Sequence, residues 1–240
     1  MELTQLQFLT GLFSLILAII SIYVGLYIAS RYRKFNNKIL LYVGISWVGM
    51  TNGWWPSSIS FLLVITTGNP LSEVQYFLIG NIVIAWWLFI WMIGVTELLY
   101  KERQKLILII FAIYAIVYQL VLFYYILTDP SKIGTLQGPV DVQYRGLLAV
   151  LLITILVIVL ITGLLFARES LKSDNPESKL RGKFIALAFI SWAIGGVADA
   201  VIPLNLITLP LIRILLISSS IEFYIGIILP NPVKRIFLKE

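Results

Sequence analysis

Long apolar stretches alternate with short polar segments over the whole of this 240-residue chain. An α-helix rises about 1.5 Å per residue, so about 20 apolar residues are needed to cross a hydrocarbon layer roughly 30 Å thick. Seven stretches have this length, and they lie near residues 6–30, 38–66, 74–99, 105–127, 143–167, 183–203 and 208–229. The pattern therefore predicts an all-α, polytopic integral membrane protein in which residues 1–240 form a single domain of seven transmembrane helices.

The composition supports a membrane location and excludes several kinds of chemistry. Hydrophobic residues make up 60% of the chain and charged residues 12%, which is about half the charged share of an ordinary soluble domain. There is no cysteine and no histidine, which removes thiolate nucleophiles, the most frequent general base and the most frequent metal ligands. We therefore expect no enzymatic activity, no catalytic residue, no metal and no cofactor.

Lysine and arginine are distributed unevenly between the two sets of connections. Fifteen of the 18 lie in four segments, residues 31–38, 101–105, 168–183 and 230–240. Lys132 and Arg145 lie in the connection after the fourth helix, and Arg213 lies inside the last span. Because cytoplasmic loops are enriched in Lys and Arg, this distribution predicts a multi-pass cell-membrane protein with its amino terminus outside and its carboxyl terminus in the cytoplasm. It also accounts for the net charge of +6 without a nucleic-acid partner.

Two distant stretches of the chain have a similar order of residues. Each begins with Gly-Leu near the end of a span, continues through a basic loop and restarts as an apolar helix that contains Ile-Ser-Trp. They run over residues 25–47 and 163–192. The match predicts two parallel repeats, residues 6–99 and 143–229, with the helix 105–127 as a linker and a binding site at the interface between the repeats. The alternative is a chance match, since these residue types are common in membrane helices.

This plan of three helices, a linker helix and three further helices resembles SWEET and PQ-loop transporters, microbial rhodopsins and the seven-helix sensory modules that precede some histidine kinases and cyclases. The resemblance extends over the whole chain and rests on the plan alone. The sequence has no Pro-Gln pair, no proline in the first or fifth helix, and no lysine in the last span to form a retinal Schiff base. The resemblance implies either a sensor or a transporter.

Polar residues near the outer ends of several spans predict a ligand pocket that opens outward. Asp199 lies four residues before Pro203 and Arg213 lies three residues after Pro210, so both are near the same membrane face. The short turn between their helices makes these helices antiparallel neighbours, and we predict an ion pair between the two residues. The alternative is that the two side chains lie on either side of a bound ligand. The predicted ligand-binding residues are Asn52, Trp55, Asn81, Trp86, Asp199 and Arg213. In the alternative interpretation, the tryptophans belong to the interfacial aromatic belt and the asparagines only join helices.

Glu222 is the other charged residue deep in an apolar span. It lies seven residues before Leu229, which places it about 10 Å inside the cytoplasmic face. An acid in such surroundings needs a proton or hydrogen-bond partners. Ser218 precedes it by four residues on a shared helical face, and Ser46 and Ser191 are expected at a similar depth. We expect Glu222 to be neutral at neutral pH and bonded to such serines, either as a proton-titrating switch or as a tie between helices.

Two functions are open on this evidence. In the first, the chain is a receptor-like or sensory protein: a small apolar or amphipathic ligand binds in the outer half, and a cytoplasmic signalling partner reads helix motion through residues 168–183. In the second, the chain is a transporter of small solutes that works by alternating access between the repeats. In both, the lipid bilayer is a partner, and the short basic tail 230–240 is expected to lie at the membrane surface.

Overall fold

A computed structural model describes residues 2–238 of the chain. Within these residues, six helices are long and apolar enough to cross a membrane. They are Gln5–Phe35, Glu73–Leu99, Lys101–Thr128, Gly146–Leu171, Pro176–Val201 and Thr208–Ile228. The predicted class, a largely helical multi-pass membrane protein, is confirmed. The stretch 38–66, predicted as the second span, is not among the six.

The regular elements of residues 2–238 are numbered here in chain order. The α-helices are α1 (Gln5–Ser30), α2 (Tyr32–Phe35), α3 (Lys38–Met50), α4 (Trp55–Thr67), α5 (Glu73–Asn81), α6 (Ile84–Leu99), α7 (Gln104–Thr128), α8 (Gly146–Leu171), α9 (Pro176–Val201), α10 (Thr208–Ile228) and α11 (Asn231–Leu238). The strands β1 (Gly134–Leu136) and β2 (Val142–Tyr144) lie between α7 and α8. Short 3₁₀ turns cover Asn52–Trp54, Lys101–Arg103 and Pro130–Lys132.

The long helices form a ring in which neighbours in sequence are mostly neighbours in space. α1 packs against α3 and α4 on one side and against α10 on the other. α3 packs against α6, α6 against α7 and α8, α8 against α9, and α9 against α10. Because successive helices alternate in direction, the basic loops and α11 gather at one end of the ring, here called the basic end. The strands and the turn between α9 and α10 gather at the other, here called the hairpin end.

The predicted helix 38–66 is interrupted in its middle. α3 ends at Met50, a 3₁₀ turn follows, and α4 begins at Trp55 with Pro56 in its first turn. Proline has no backbone N–H to donate and disfavours a helical residue before it, so a helix tends to restart at this point. α3 and α4 have 13 residues each, so each is only about 20 Å long. Neither piece crosses a membrane by itself.

The predicted helix 74–99 is also interrupted, between Asn81 and Ile84. Backbone groups freed by such a break have no water to bind inside a membrane and must find partners within the protein. Asn52 Nδ2 donates to the carbonyl oxygen of Ile79 at 2.9 Å, and Gln119 Nε2 donates to the carbonyl oxygen of Ile82. Polar side chains from two other helical segments therefore stabilise this break.

A two-stranded antiparallel β-hairpin, absent from the predicted all-helical plan, closes one end of the ring. Gly134 is paired with Tyr144 and Leu136 with Val142. The side chain of Val140, at the tip, is fully buried. Ser60 Oγ of α4 donates to the carbonyl oxygen of Pro139 at 2.6 Å. The hairpin is thus inserted between the helix ends and covers the interior.

Four fully buried aromatic side chains form a continuous layer across the ring, here called the aromatic layer. They are Trp47, Trp91, Phe189 and Phe223. Trp47 stacks on Phe223 with ring centroids 3.8 Å apart, and Phe189 lies 5.2 to 5.9 Å from the three other rings. The aromatic layer therefore joins α3, α6, α9 and α10 in the interior, between the hairpin end and the basic end.

Candidate ligand cavity at the hairpin end

A cavity of about 900 Å³ lies beneath the hairpin and is lined by residues of α1, α3, α6, α8, α9, α10 and the hairpin itself. Most of its wall is apolar and aromatic, with Trp54, Trp87 and Trp192 among the lining residues. Charged groups also reach it: Asp141 from the hairpin, Asp199 from α9 and Arg213 from α10. Clefts of this size and mixed lining are typical of sites that bind small molecules.

The predicted ion pair between Asp199 and Arg213 is present at this wall. Arg213 Nη2 lies 3.1 Å from Asp199 Oδ1, and only 1% of the arginine side chain is exposed. Asp199 Oδ2 accepts a hydrogen bond of 2.8 Å from Trp54 Nε1, and the guanidinium carbon lies 5.8 Å from the centre of the Trp54 ring. Three segments of the chain are thus joined around one buried charge pair.

The local sequence between α9 and α10 explains why these two charges meet. Asn205 Oδ1 accepts hydrogen bonds from the backbone N–H groups of Ile207 and Thr208 at 2.8 and 2.9 Å, which begins α10 immediately after the turn. Side chains that satisfy N–H groups at a helix start are a common end signal of this kind. The tight reversal keeps α9 and α10 in contact along their length, so Asp199 and Arg213 lie at the same level.

Several hydrogen-bond donors of the lining residues have no acceptor among residues 2–238. They are Nε and Nη1 of Arg213 and the indole N–H groups of Trp87 and Trp192, all of them buried. Buried polar groups are normally paired, because an unsatisfied donor in an apolar interior costs free energy. The unused hydrogen-bonding capacity at this wall therefore consists mainly of donors, and it suits a molecule that presents oxygen acceptors.

The hairpin adds a second carboxyl group and a tyrosine to the cavity wall. Burial raises the pKa of Asp141 to about 6 from its ordinary value of 3.8; a hydrogen bond from the Val142 N–H opposes this shift, and the nearby Asp199 carboxylate adds to it. Burial likewise raises the pKa of Tyr144 to about 12, against a hydrogen bond from Asn81. The ionisable side chains of the wall thus include two acidic groups, Asp141 and Asp199, and one guanidinium, that of Arg213.

The structure places the predicted ligand-binding residues in two groups. Asp199 and Arg213 line the cavity. Trp55 and Trp86 do not; the chain neighbours Trp54 and Trp87 line it instead, and Trp86 is 40% exposed. Adjacent residues of a helix point about 100° apart. The depth of the tryptophans along their helices was therefore predicted, but the side of the helix that faces the cavity was not.

The two predicted asparagines, Asn52 and Asn81, are fully buried at the helix interruptions and do not line the cavity. Asn81 Nδ2 donates to Tyr144 OH at 3.1 Å, and Asn81 Oδ1 accepts from Tyr118 OH at 2.7 Å. Asn81 therefore joins α5, α7 and the hairpin. This arrangement corresponds to the alternative interpretation, in which these residues hold helices together.

Glu222 has no hydrogen bond to any of the serines expected to bind it, within the part of the chain that the structure describes. Its Oε2 atom is buried and unpaired. The hydroxyl groups of Ser46 and Ser218 donate to carbonyl oxygens of their own helices, from Tyr42 and Leu215. Local bonds of this kind are always within reach of a helical serine, and here they are formed in preference to a bond with the acid. Ser191 is buried in α9, and its hydroxyl makes no hydrogen bond to any residue within 2–238.

A different serine pair joins the helices at this depth. Ser21 Oγ and Ser220 Oγ are 2.8 Å apart and link α1 to α10, and Ser220 Oγ also accepts from Trp47 Nε1 at 3.2 Å. These contacts fix the indole of Trp47 in the aromatic layer.

Sequence reasoning missed most of the residues contributed by the hairpin and by α9. Gly138-Pro139 between short runs that contain Val and Tyr is a hairpin signal, and it would have indicated Asp141 and Tyr144. The spacing of Trp192, Gly196 and Asp199, at four and three residues, places them on one helical face, and all three line the cavity.

Comparisons of the chain with protein-family models, with curated proteins and with solved structures find no match. Among residues 2–238, no three Asp or Glu side chains come together in a group that could hold a metal ion. The geometry of the cavity is therefore the main basis for a functional interpretation.

Proposed function

We propose that this chain is a seven-helix, receptor-like membrane protein that binds a small amphipathic ligand in the hairpin-end cavity and performs no chemistry on it. The seventh span is the interrupted pair α3 and α4. An added Cβ on Gly25 of α1 would touch Gly44 of α3, and one on Gly11 of α1 would touch Phe61 of α4. The two pieces thus follow α1 end to end, as a broken helix near a binding site does in other membrane proteins.

The proposed orientation has the hairpin end outside and the basic end in the cytoplasm, with the carboxyl terminus at the basic end. It is supported by the 15 of 18 Lys and Arg residues in the four basic segments. In this orientation the ligand enters from outside the cell, and a cytoplasmic partner contacts the loop between α8 and α9.

The buried charge pair beside unused donors is the observation that carries the ligand proposal. An ion pair removed from water is costly unless its remaining hydrogen-bonding groups are satisfied. Arg213 keeps two unpaired nitrogen atoms, while the surrounding wall is mainly apolar. A molecule with an apolar body and a neutral oxygen-bearing head, such as an alcohol or an amide, would pack against the apolar wall and accept hydrogen bonds from the unpaired nitrogen atoms. A carboxylate head is disfavoured, because the wall already has two acidic side chains, Asp141 and Asp199, and only one basic side chain, Arg213.

The aromatic layer favours a receptor over a transporter. In α3, α6, α9 and α10, every residue that lines the cavity lies toward the hairpin end from the layer residue of the same helix. Trp192 in α9 follows Phe189, for example, and Arg213 in α10 precedes Phe223. A solute would have to cross stacked, fully buried rings to reach the basic end. A ligand that stays above this layer can still move the helices that surround it.

One observation favours the transporter alternative. Gly25 and Gly163 occupy matching positions in the two repeats that the sequence predicts. Each packs against the residue three positions before the tryptophan of Ile-Ser-Trp, namely Gly44 before Trp47 and Phe189 before Trp192. Equivalent helix contacts are expected of structural repeats, which in transporters rock against each other.

Thiol labelling from each side of the membrane distinguishes the two functions. The chain has no cysteine, so Gly53→Cys in the cavity and Asp174→Cys in a basic loop are single reporters. In a receptor, a membrane-impermeant maleimide labels Gly53→Cys only from the hairpin side and Asp174→Cys only from the basic side. Labelling of Gly53→Cys from both sides would favour alternating access. Labelling of Asp174→Cys from outside intact cells would show that the orientation is opposite to the proposed one.

A further inference from the structure

A second cleft, of about 700 Å³, lies at the basic end between the end of α1, α2 and the end of α10. Arg31, Lys34 and Arg181 line it, together with the amides of Asn37 and Asn231. No Asp or Glu is among its lining residues. Among residues 2–238, no carboxylate forms an ion pair with any of its three cations. The cleft is therefore a concentrated positive site without a direct ion-pair partner among the described residues.

The three cations have different roles in the fold. Arg181 donates to the carbonyl oxygens of Ile227 and Ile228 and so caps the end of α10. Arg31 bonds to Tyr27 OH, and its guanidinium carbon lies 4.4 Å from the centre of the Tyr27 ring. The Lys34 side chain is exposed, its Nζ lies 5.5 Å from the centre of the Phe35 ring, and it makes no hydrogen bond or ion pair in the described chain. Arg31 and Lys34 are thus the residues with side-chain donors left for an anion, and neither side chain caps a helix end.

The surroundings of the cleft are those of a membrane surface. Leu40, Ile227 and Ile228 form an apolar strip within its wall. Beside it, α11 is held to α9 by an ion pair of 2.7 Å between Lys234 and Glu177. α11 exposes 73% of Ile236 and 58% of Phe237, as expected of a short helix that lies in the headgroup region.

We propose that this basic cleft binds the phosphate group of a phosphate ester, with Arg31 and Lys34 as its principal ligands. Guanidinium and ammonium groups are the usual partners of phosphate oxygens, and basic pockets at the cytoplasmic ends of membrane helices bind anionic headgroups. The same phosphate chemistry occurs in an anionic lipid, whose acyl chain would follow the apolar strip, and in a soluble phosphate ester. This site is independent of the ligand cavity and of its proposed function.

The test compares a cleft variant with a matched control in the full-length chain. Arg31→Gln with Lys34→Gln removes two charges from the cleft, and Arg103→Gln with Lys105→Gln removes two exposed charges from another basic segment. Native mass spectrometry measures the affinity for dioleoyl phosphatidic acid against dioleoyl phosphatidylcholine, and calorimetry measures the affinity for glycerol 3-phosphate. The single variant Lys34→Gln, at an exposed position, serves if the double cleft variant does not fold.

The expected result is a preference for phosphatidic acid that falls roughly tenfold or more in the cleft variant and less than about twofold in the control. Binding of glycerol 3-phosphate with the same dependence on Arg31 and Lys34 also supports the site and identifies a soluble ester as its ligand. Equal losses in the cleft variant and the control would show general surface attraction and overturn the proposal. The absence of any measurable preference for either phosphate probe would also overturn it.

Discussion

Arg213 lies against Asp199, with 3.1 Å between Nη2 and Oδ1, on antiparallel helices at the edge of an apolar cavity. This pair places a buried guanidinium and a carboxylate at the cavity wall, where a ligand that has passed the hairpin would contact them. It also connects the cavity to the ring, since Trp54 donates to the free oxygen of the same carboxylate. A ligand that binds the remaining nitrogen atoms of Arg213 would therefore act on three elements at once.

The first prediction concerns the energetic coupling of this pair. Asp199→Asn leaves the charge of Arg213 buried without a counter-charge and should reduce the free energy of unfolding by about 3 kcal/mol. The double variant with Arg213→Leu should lose less than the sum of the two single changes, by about 1 kcal/mol or more. Denaturation by dodecyl sulfate in mixed micelles measures these values. An additive cycle would show that the two charges do not interact.

A solvent-exposed pair provides the control for this cycle. Glu97 and Lys101 are also in contact, at 2.8 Å, but 33% and 73% of their side chains are exposed. Glu97→Gln should change the unfolding midpoint far less than Asp199→Asn does, because water screens exposed pairs.

The second prediction compares two adjacent tryptophans. Trp54 Nε1 donates to the Asp199 carboxylate, whereas the buried Trp55 Nε1 has no acceptor among the described residues. Trp54→Phe should destabilise the fold by about 1.5 to 3 kcal/mol more than Trp55→Phe does, since only the first removes a hydrogen bond to a charged group. Both changes replace an indole with a phenyl ring. Equal unfolding midpoints for the two variants would contradict the role assigned to Trp54.

The third prediction concerns the pH dependence that arises from Asp141. Its pKa of about 6 in the folded chain is above its ordinary value of 3.8, so its stabilising contribution is full at low pH and is lost as the pH rises through 6. Asp141→Asn keeps an acceptor for the Val142 N–H and removes the titration. It should stabilise the fold at neutral pH by on the order of 2 kcal/mol and leave it nearly unchanged below about pH 4.

Asp129 provides a control of opposite sign in the same connection. Hydrogen bonds from Ser131 hold the pKa of Asp129 below its ordinary value, so its contribution is present at neutral pH and is lost as the pH falls. Asp129→Asn should therefore destabilise the fold at neutral pH. Thermal unfolding over a pH series measures both variants, and a change of the same sign in both would contradict the assigned environments.

The sequence predicted how deep the cavity residues lie along their helices better than it predicted which way their side chains face. The rise per residue in a helix is fixed, so Asp199 and Arg213 could be matched in depth before the fold was known. Rotation about the helix axis depends on packing against neighbours. Trp54 and Trp87 therefore line the cavity, although Trp55 and Trp86 were predicted.

The helix interruptions and the hairpin were less accessible to sequence reasoning. The break after Met50 lies inside an apolar run, and the Asn52 side chain beside it donates to the backbone carbonyl oxygen of Ile79, 27 residues away, at the second interruption. Glu222 shows the same limit, because two of its predicted serine partners, Ser46 and Ser218, bond instead to carbonyl oxygens of their own helices. Hydropathy indicates which segments lie in the membrane. The interruptions, the hairpin and the surroundings of Glu222 depend instead on contacts between residues that are far apart in the sequence.

The most direct test of the central claim, that the cavity receives a small amphipathic ligand, is a protection measurement at Gly53. This residue lines the cavity, and a Cβ added there meets no atom within 4 Å. Gly53→Cys therefore places a single thiol in open space without a clash. The rate of its alkylation by a small maleimide is measured alone and with octanol, octanamide, octanoate or octylamine, which share one tail. Val74→Cys, exposed and away from the cavity, is the control.

The account predicts that octanol or octanamide slows the alkylation of Gly53→Cys about fivefold at saturation, with weaker protection by octanoate. The alkylation rate of Val74→Cys should not change. A rate at Gly53→Cys that none of these compounds alters, or an equal slowing at both positions, would contradict the proposal that the cavity is a ligand site.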